Sequence, residues 1–146
     1  AELEAPARDG LVLIGRRQLR SNNSWLHNSE RLVKGKERCT LLIHPGDAAR
    51  QGIAAGDRVV VRSRVGAIEL PVELDDGIMP GVVSVPHGWG HGRPGVSLSV
   101  AARRPGASIN DLTDEARVDA ASGNAAFSGT PVALERVPAA AASRTE

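Results

Sequence analysis

Aromatic residues are almost missing from this 146-residue chain: one Phe, two Trp and no Tyr make up 2% of it. A core built without aromatic rings is filled by Val, Leu, Ile and Ala, which the 41% hydrophobic content supplies. The few rings then stand out, because Trp25 and Trp89 lie in polar runs rich in Asn or Gly and not in alternating apolar ones. For both, that setting suggests a surface cleft over a core position. Charge of one sign is equally scarce: 18 basic against 17 acidic residues leave a formal net charge of +1. So small an excess gives no broad basic field and argues against a general nucleic-acid binder. A single cysteine, Cys39, excludes an internal disulfide and a cysteine-cluster metal site. It suits a reducing compartment, and a cytoplasmic location is the expectation. No apolar run is long enough to cross a bilayer and the first residues carry no signal-peptide pattern, so no membrane contact is expected of this domain.

What is present is concentrated. Residues 15–28, GRRQLRSNNSWLHN, pack Arg16, Arg17 and Arg20 with six amide or hydroxyl side chains behind a short apolar strand. Guanidinium forks suit phosphoryl oxygens, Ser21, Asn22, Asn23 and Ser24 add donors and acceptors, and Trp25 adds a flat face. A dinucleotide-like ligand fits that inventory. The same residues also suit a solvated loop ahead of a helix capped by Asn23 or Ser24. Residues 86–94 form a second loop, too glycine-rich for a helix, that sets His87 and His91 beside Trp89 and bare backbone. Gly88, Gly90 and Gly92 remove the helix on which His87 and His91 could serve as a zinc pair, whereas a planar ligand could approach such a loop closely. Asn110, Thr113 and Asp114 form a third polar cluster, which alone reads as an Asx or capping turn.

Short apolar or alternating runs predict strands over 11–14, 40–43, 58–64, 67–74, 82–85 and 131–137, with a helix over 47–51 and a weak apolar segment over 98–102. Cys39 enters the second strand as an inert core thiol. Six or seven short strands with a few short helices read as mainly β, a closed or nearly closed barrel. Residues 1–10 read as a linker from a preceding domain, 11–137 as the barrel and 138–146 as a flexible C-terminal tail. The expectation is a domain of a longer polypeptide.

No Asp-Thr-Gly, Asp-Ser-Gly, Gly-Ser or Gly-x-Ser-x-Gly signature is present, so the barrel proteases, pyruvoyl decarboxylases and serine hydrolases that carry them are set aside. Taken together, GRRQLRSNNSWLHN, IHPGDAARQGIAAGDRVVVRSRVG at 43–66, PGVVSVPHGWGH at 80–91, NDLTD at 110–114 and SGTPVALERV before the tail resemble the C-terminal cofactor-binding domain of the molybdopterin oxidoreductases. The first and third segments look most like the formate-dehydrogenase-type branch. The resemblance implies a six-stranded double-psi β-barrel that holds part of one or both molybdopterin guanine dinucleotides. It places Arg16, Arg17, Arg20, Ser21, Asn22 and Ser24 at the pyrophosphate and pterin, with His87, Gly88, Trp89 and Asn110 near a pterin and Phe127 and Ser128 in the loop before the last strand. It also implies that the ligand to molybdenum or tungsten and the iron–sulfur cysteines lie in other domains of the parent oxidoreductase. This chain would then contribute no catalytic residue and bind no metal itself. A non-catalytic double-psi module, binding an adaptor or nucleic acid, would explain the strands and the Gly56–Asp57 turn but neither polar loop.

Overall fold

The computed structural model describes residues 10–138. The expected linker (1–10, but for its last residue) and tail (138–146, but for its first) lie outside the described residues. Six strands close into a barrel: β1 (Leu11–Arg16), β2 (Leu41–Ile43), β3 (Arg58–Arg62), β4 (Ala67–Leu74), β5 (Val82–Pro86) and β6 (Thr130–Arg136). Round the barrel they run β1-β5-β2-β4-β3-β6. β1 with β5 and β2 with β4 are parallel, and the other four pairings are antiparallel. This is the mainly β, double-psi barrel the sequence predicts. Two one- or two-turn helices, α1 (Glu30–Val33) and α2 (Pro45–Arg50), and 3-10 turns at Ala101–Arg103 and Ile109–Leu112 fill the connections.

Alternation sends one face of each strand inward. Leu13, Leu41, Ile43, Val59, Val61, Leu70, Val83 and Val85 are fully or almost fully buried, and each stabilises the fold by roughly 1.5–3 kcal/mol. β-branched and leucine side chains fit a narrow barrel that large rings would overfill, which is why a chain so poor in aromatics can close one. Outward positions carry ion pairs that link neighbouring strands, Arg58 with Glu69 and Arg62 with Glu135. Being exposed to solvent, each contributes little to stability. Closure leaves no free sheet edge.

The run at 43–66 is the barrel's tie. His44 caps α2 by accepting from the Gly46 amide through Nδ1 at 3.0 Å, and Pro45 starts the helix two residues ahead of the predicted Asp47. Gly56, at φ +83°, makes the turn into β3, and the Asp57 carboxylate holds the Ala54 amide at 2.9 Å and the Arg136 guanidinium at 2.9 Å. Asp47 is buried beneath this turn region, where it ion-pairs with Arg50 and accepts from the Gly81 amide at 2.7 Å; the Gly81 carbonyl in turn accepts from Val12 of β1. One carboxylate thus connects α2 to the starts of β5 and β1. Replacing Asp47 with Ala strands a buried amide, and urea denaturation is expected to show a loss of about 1–3 kcal/mol. Asp47→Asn, which keeps an acceptor, is expected to lose less.

Candidate functional site

Parallel pairing of β1 with β5 ends in register at Arg16 and Pro86, so the polar runs that follow both strands leave the same end of the barrel side by side. The His87 amide donates to the Arg16 carbonyl at 3.0 Å and extends that pairing by one step. Two glycines then allow contact that no side chain would permit. A Cβ at Gly15 would lie 2.1 Å from the His87 ring, and one at Gly88 would lie 2.1 Å from the Asn23 carbonyl oxygen. Gly88 sits at φ +90°, opposite the left-handed Asn22 (φ +42°) and Asn23 (φ +61°), residues that tolerate this conformation.

Trp89 is the floor of the site. The sequence setting suggests a surface cleft for both tryptophans: Trp89 does line the cleft, but as a core residue only 6% exposed, whereas Trp25, 83% exposed, lies outside the cleft lining. Trp89 is buried because Gly106 lets the chain press on its ring. A Cβ there would come within 2.9 Å of the indole and 2.8 Å of the Cys39 sulfur. Burial pushes the Cys39 thiol up to about 11 and keeps it inert. On the other side the His27 ring lies over Trp89, centroids 4.0 Å apart, and its Nδ1 is 2.7 Å from Nε2 of His91. Burial first, then the neighbouring His91, lowers the His27 pKa to about 4, and burial lowers that of His91. The pair is therefore neutral at pH 7, one ring donating to the other.

Above this floor opens a cleft of about 440 Å³, lined by Arg17, Asn23, Ser24, His87, Gly88, Trp89, His91, Ser108, Asn110 and Phe127. Among the described residues no carboxylate lines it. Seven of the twelve residues singled out from the sequence meet here: Arg17, Ser24, His87, Gly88, Trp89, Asn110 and Phe127. The other five lie elsewhere. Arg16 turns across the barrel end, its guanidinium donating to the Ser84 carbonyl and, at 2.8 and 2.9 Å, to the carbonyl and hydroxyl of Thr40. Arg20 donates to the Arg31 carbonyl at 3.2 Å, Ser21 is buried, and Asn22 and Ser128 are exposed outside the cleft lining. Asn23, His91 and Ser108 also line the cleft; Asn23 and His91 stood in the two polar runs, while nothing local marked Ser108. Asp114, from the third cluster, is an anchor: its ion pair with Arg64 at 2.6 Å and the Ala116 amide hold its carboxyl down to about 2.

Residues 11–131 match the family described as "Molydopterin dinucleotide binding domain". The chain belongs to this molybdopterin dinucleotide-binding family. It is 33% identical over 112 residues to a tetrathionate reductase subunit from Salmonella typhimurium, covering 65% of this chain and 11% of that protein. It is 32% identical over 120 residues to the molybdopterin-containing subunit of an arsenate respiratory reductase from Chrysiogenes arsenatis, covering 77% of this chain and 14% of the relative. Acetylene hydratase from Pelobacter acetylenicus shares the fold, with a TM-score of 0.71 at 22% identity over 87% of this chain and 18% of that one. The chain thus spans about a seventh or less of these two relatives' length.

The cofactor of the molybdopterin dinucleotide-binding domain is a molybdopterin guanine dinucleotide, and the donor set fits it. The cleft offers one guanidinium, amides and hydroxyls, without a carboxylate to repel phosphate. The Trp89 indole N–H at its floor is buried without a hydrogen-bond partner, as is the hydroxyl of Ser21 in the adjoining turn. Among the described residues no group of three or more His, Cys, Asp or Glu could hold a metal ion, and no helix is long and apolar enough to cross a membrane.

The buried histidine pair sets an acid limit. Unfolded, His27 takes up a proton near pH 6.5; folded, it does so only near 4, so between these values the unfolded chain binds more protons and acid favours unfolding. The stability that neutral His27 contributes is present above about pH 6.5 and is lost as pH falls towards about 4. That loss is expected to be about 2–3 kcal/mol, and His27→Phe, which keeps a stacked ring that cannot protonate, is expected to flatten it in denaturation curves taken across this window.

Proposed function

We propose that this chain is the cofactor-binding domain of a larger molybdenum- or tungsten-dependent oxidoreductase and that the cleft over Trp89 receives the pterin and phosphate portion of the dinucleotide. The observation that carries this reading is the meeting of the two chemically richest loops, residues 15–28 and 86–94, on one cleft that no carboxylate of the described residues lines. Bound there, the cofactor would bring the metal that performs two-electron chemistry, while the chain itself binds and orients. Among the described residues Arg17 is the one cation in the lining, and it would face phosphate or another anionic edge. Asn23, Ser24 and Asn110 would hydrogen-bond a heterocycle's edge. Burial, and then Arg17, lower the pKa of His87, so this ring would meet the ligand neutral. Gly88 would keep the approach open.

The arginines separate binding from folding. In the full-length parent enzyme, Arg17→Ala removes one charge-assisted contact worth about 1.5–3 kcal/mol and is expected to lower metal and pterin content per polypeptide by roughly tenfold or more, with the barrel intact. Arg16→Ala is expected to do the opposite, costing about 1.5–3 kcal/mol of stability because Ser84 and Thr40 lose their donor. Full cofactor content in Arg17→Ala would overturn the placement.

Within the family we assign the parent enzyme to the formate-dehydrogenase type, on the wording of residues 15–28 and 80–91. Loaded enzyme is expected to oxidise formate. Turnover with arsenate or tetrathionate but not with formate would refute that assignment.

A further inference from the structure

Beyond the cleft, the charge of this chain is unevenly placed. α1 is one turn long, and three arginines converge on its C-terminal carbonyls: Arg20 donates to Arg31, Arg38 to Leu32 and Lys34, and Arg104 to Val33 and Gly35. Carbonyl oxygens satisfy these guanidiniums without neutralising them. The crowding shows at Arg38, whose pKa burial lowers first and the like charges of Arg20 and Arg104 lower further, with the neighbouring Glu37 offsetting them in part. Beside them a cavity of about 450 Å³ is lined by Arg31, Lys34, Arg103 and Arg104 over an apolar base of Val33 and Val100; its one carboxylate, Glu30, already pairs with Arg103. Among the described residues, the Arg31 and Lys34 side chains take part in no hydrogen bond or ion pair.

The turn that carries Arg20 also carries Leu19 at 96% exposure and Trp25 at 83%, the two most exposed large apolar side chains of the described residues. A small phosphate ligand would use the cations and leave these two in water. A protein surface uses both, since Arg and Trp are the residue types enriched as interface anchors. The chain spans 11% and 14% of the relatives it matches, so most of the polypeptide that would cover such a face lies outside this chain.

We propose that the face comprising Leu19, Trp25, Arg31, Lys34 and Arg104 is a docking surface for an acidic segment with apolar side chains in the remainder of the parent polypeptide. The segment's carboxylates would neutralise the guanidinium cluster, and its apolar groups would cover Leu19 and Trp25. This inference rests on the chain being one domain of a larger enzyme, but it does not depend on the cleft or on cofactor contact.

The test uses the full-length parent enzyme and a carbodiimide, which joins an amine to a carboxylate already in contact with it. Lys36 with Glu73, 2.9 Å apart, is the internal control. Lys34 is expected to link to an Asp or Glu of the same polypeptide outside residues 1–146. Arg31→Glu is expected to lower that yield about two- to fivefold at low salt, with a smaller difference at high salt. Lys34 links confined to this domain, or made to a different polypeptide, would overturn the proposal, as would a yield indifferent to Arg31→Glu. Metal and pterin content measured on the same samples reports separately on the cleft: unchanged content with no outside link sinks the docking surface alone, and an outside link with absent cofactor sinks the cleft assignment alone.

Discussion

Everything at the functional end of this barrel depends on one backbone contact, the approach of Gly88 to the carbonyl of Asn23. Parallel pairing of β1 with β5 brings two loops to the same end, but pairing alone would leave them splayed by the width of their side chains. Glycine at φ +90° on one side and two left-handed asparagines on the other let the backbones touch. The loops then share a wall, and Arg17, Ser24, His87 and Trp89, distant in sequence, face one volume. A side chain at Gly88 would have to displace backbone, not a flexible neighbour, and that is why the site has so little tolerance there.

Three neighbouring arginines show how little residue type alone decides. Arg16 is the last residue of β1, and alternation turns it across the barrel end, where the Ser84 and Thr40 carbonyls need a donor. Arg17, one step further, faces the cleft. Arg20 lies past the turn and reaches the carbonyl of Arg31 near the end of α1. Sequence identifies them as one phosphate-binding cluster; the fold divides them between packing, the cleft and a helix end. The same division explains how a chain with a net charge of +1 still holds local positive fields. Acidic residues such as Asp57, Glu69, Glu135 and Asp114 are spent on ion pairs around the barrel, while the turn after β1 and the end of α1 hold cations with few carboxylates.

Much of the fold was legible because strand burial leaves a period of two. Val59 and Val61, and Ile68, Leu70 and Val72, are buried in alternation, while Leu74, which the same alternation would bury, is exposed at the end of β4, and the Gly56–Asp57 turn falls where glycine and a capping carboxylate demand it. Ends were less legible: β1 runs on to Arg16 and β5 to Pro86 because each is the other's partner, a pairing no local pattern encodes. α1 begins at Glu30, beyond the expected caps Asn23 and Ser24, since Asn23 takes a left-handed turn conformation and the chain runs on through turns to Ser29, which occupies the cap position without a side-chain capping bond. Trp89 was misjudged for a related reason. Glycines around an indole read as an open loop, yet Gly106 is what allows the chain to close over it. Ser108 left no trace because its place in the cleft comes from its contact with Gly90 across the fold.

The groups left unsatisfied are themselves informative. Native domains rarely bury polar hydrogens without partners or crowd guanidiniums without counter-charge, because each costs free energy that nothing local returns. Here the Trp89 indole N–H and the Ser21 hydroxyl are buried and unpaired near the cleft, and Arg20, Arg38 and Arg104 around α1 meet only carbonyl oxygens. In the barrel beneath them Asp47 is paired and capped and the outer charges are matched, but the buried Ser84 hydroxyl, Arg16 Nε and His27 Nε2 also lack partners. What sets the Trp89 and Ser21 groups apart is their place beside the cleft, which fits the proposed completion by a cofactor there, as the cations around α1 fit the proposed contact with further polypeptide.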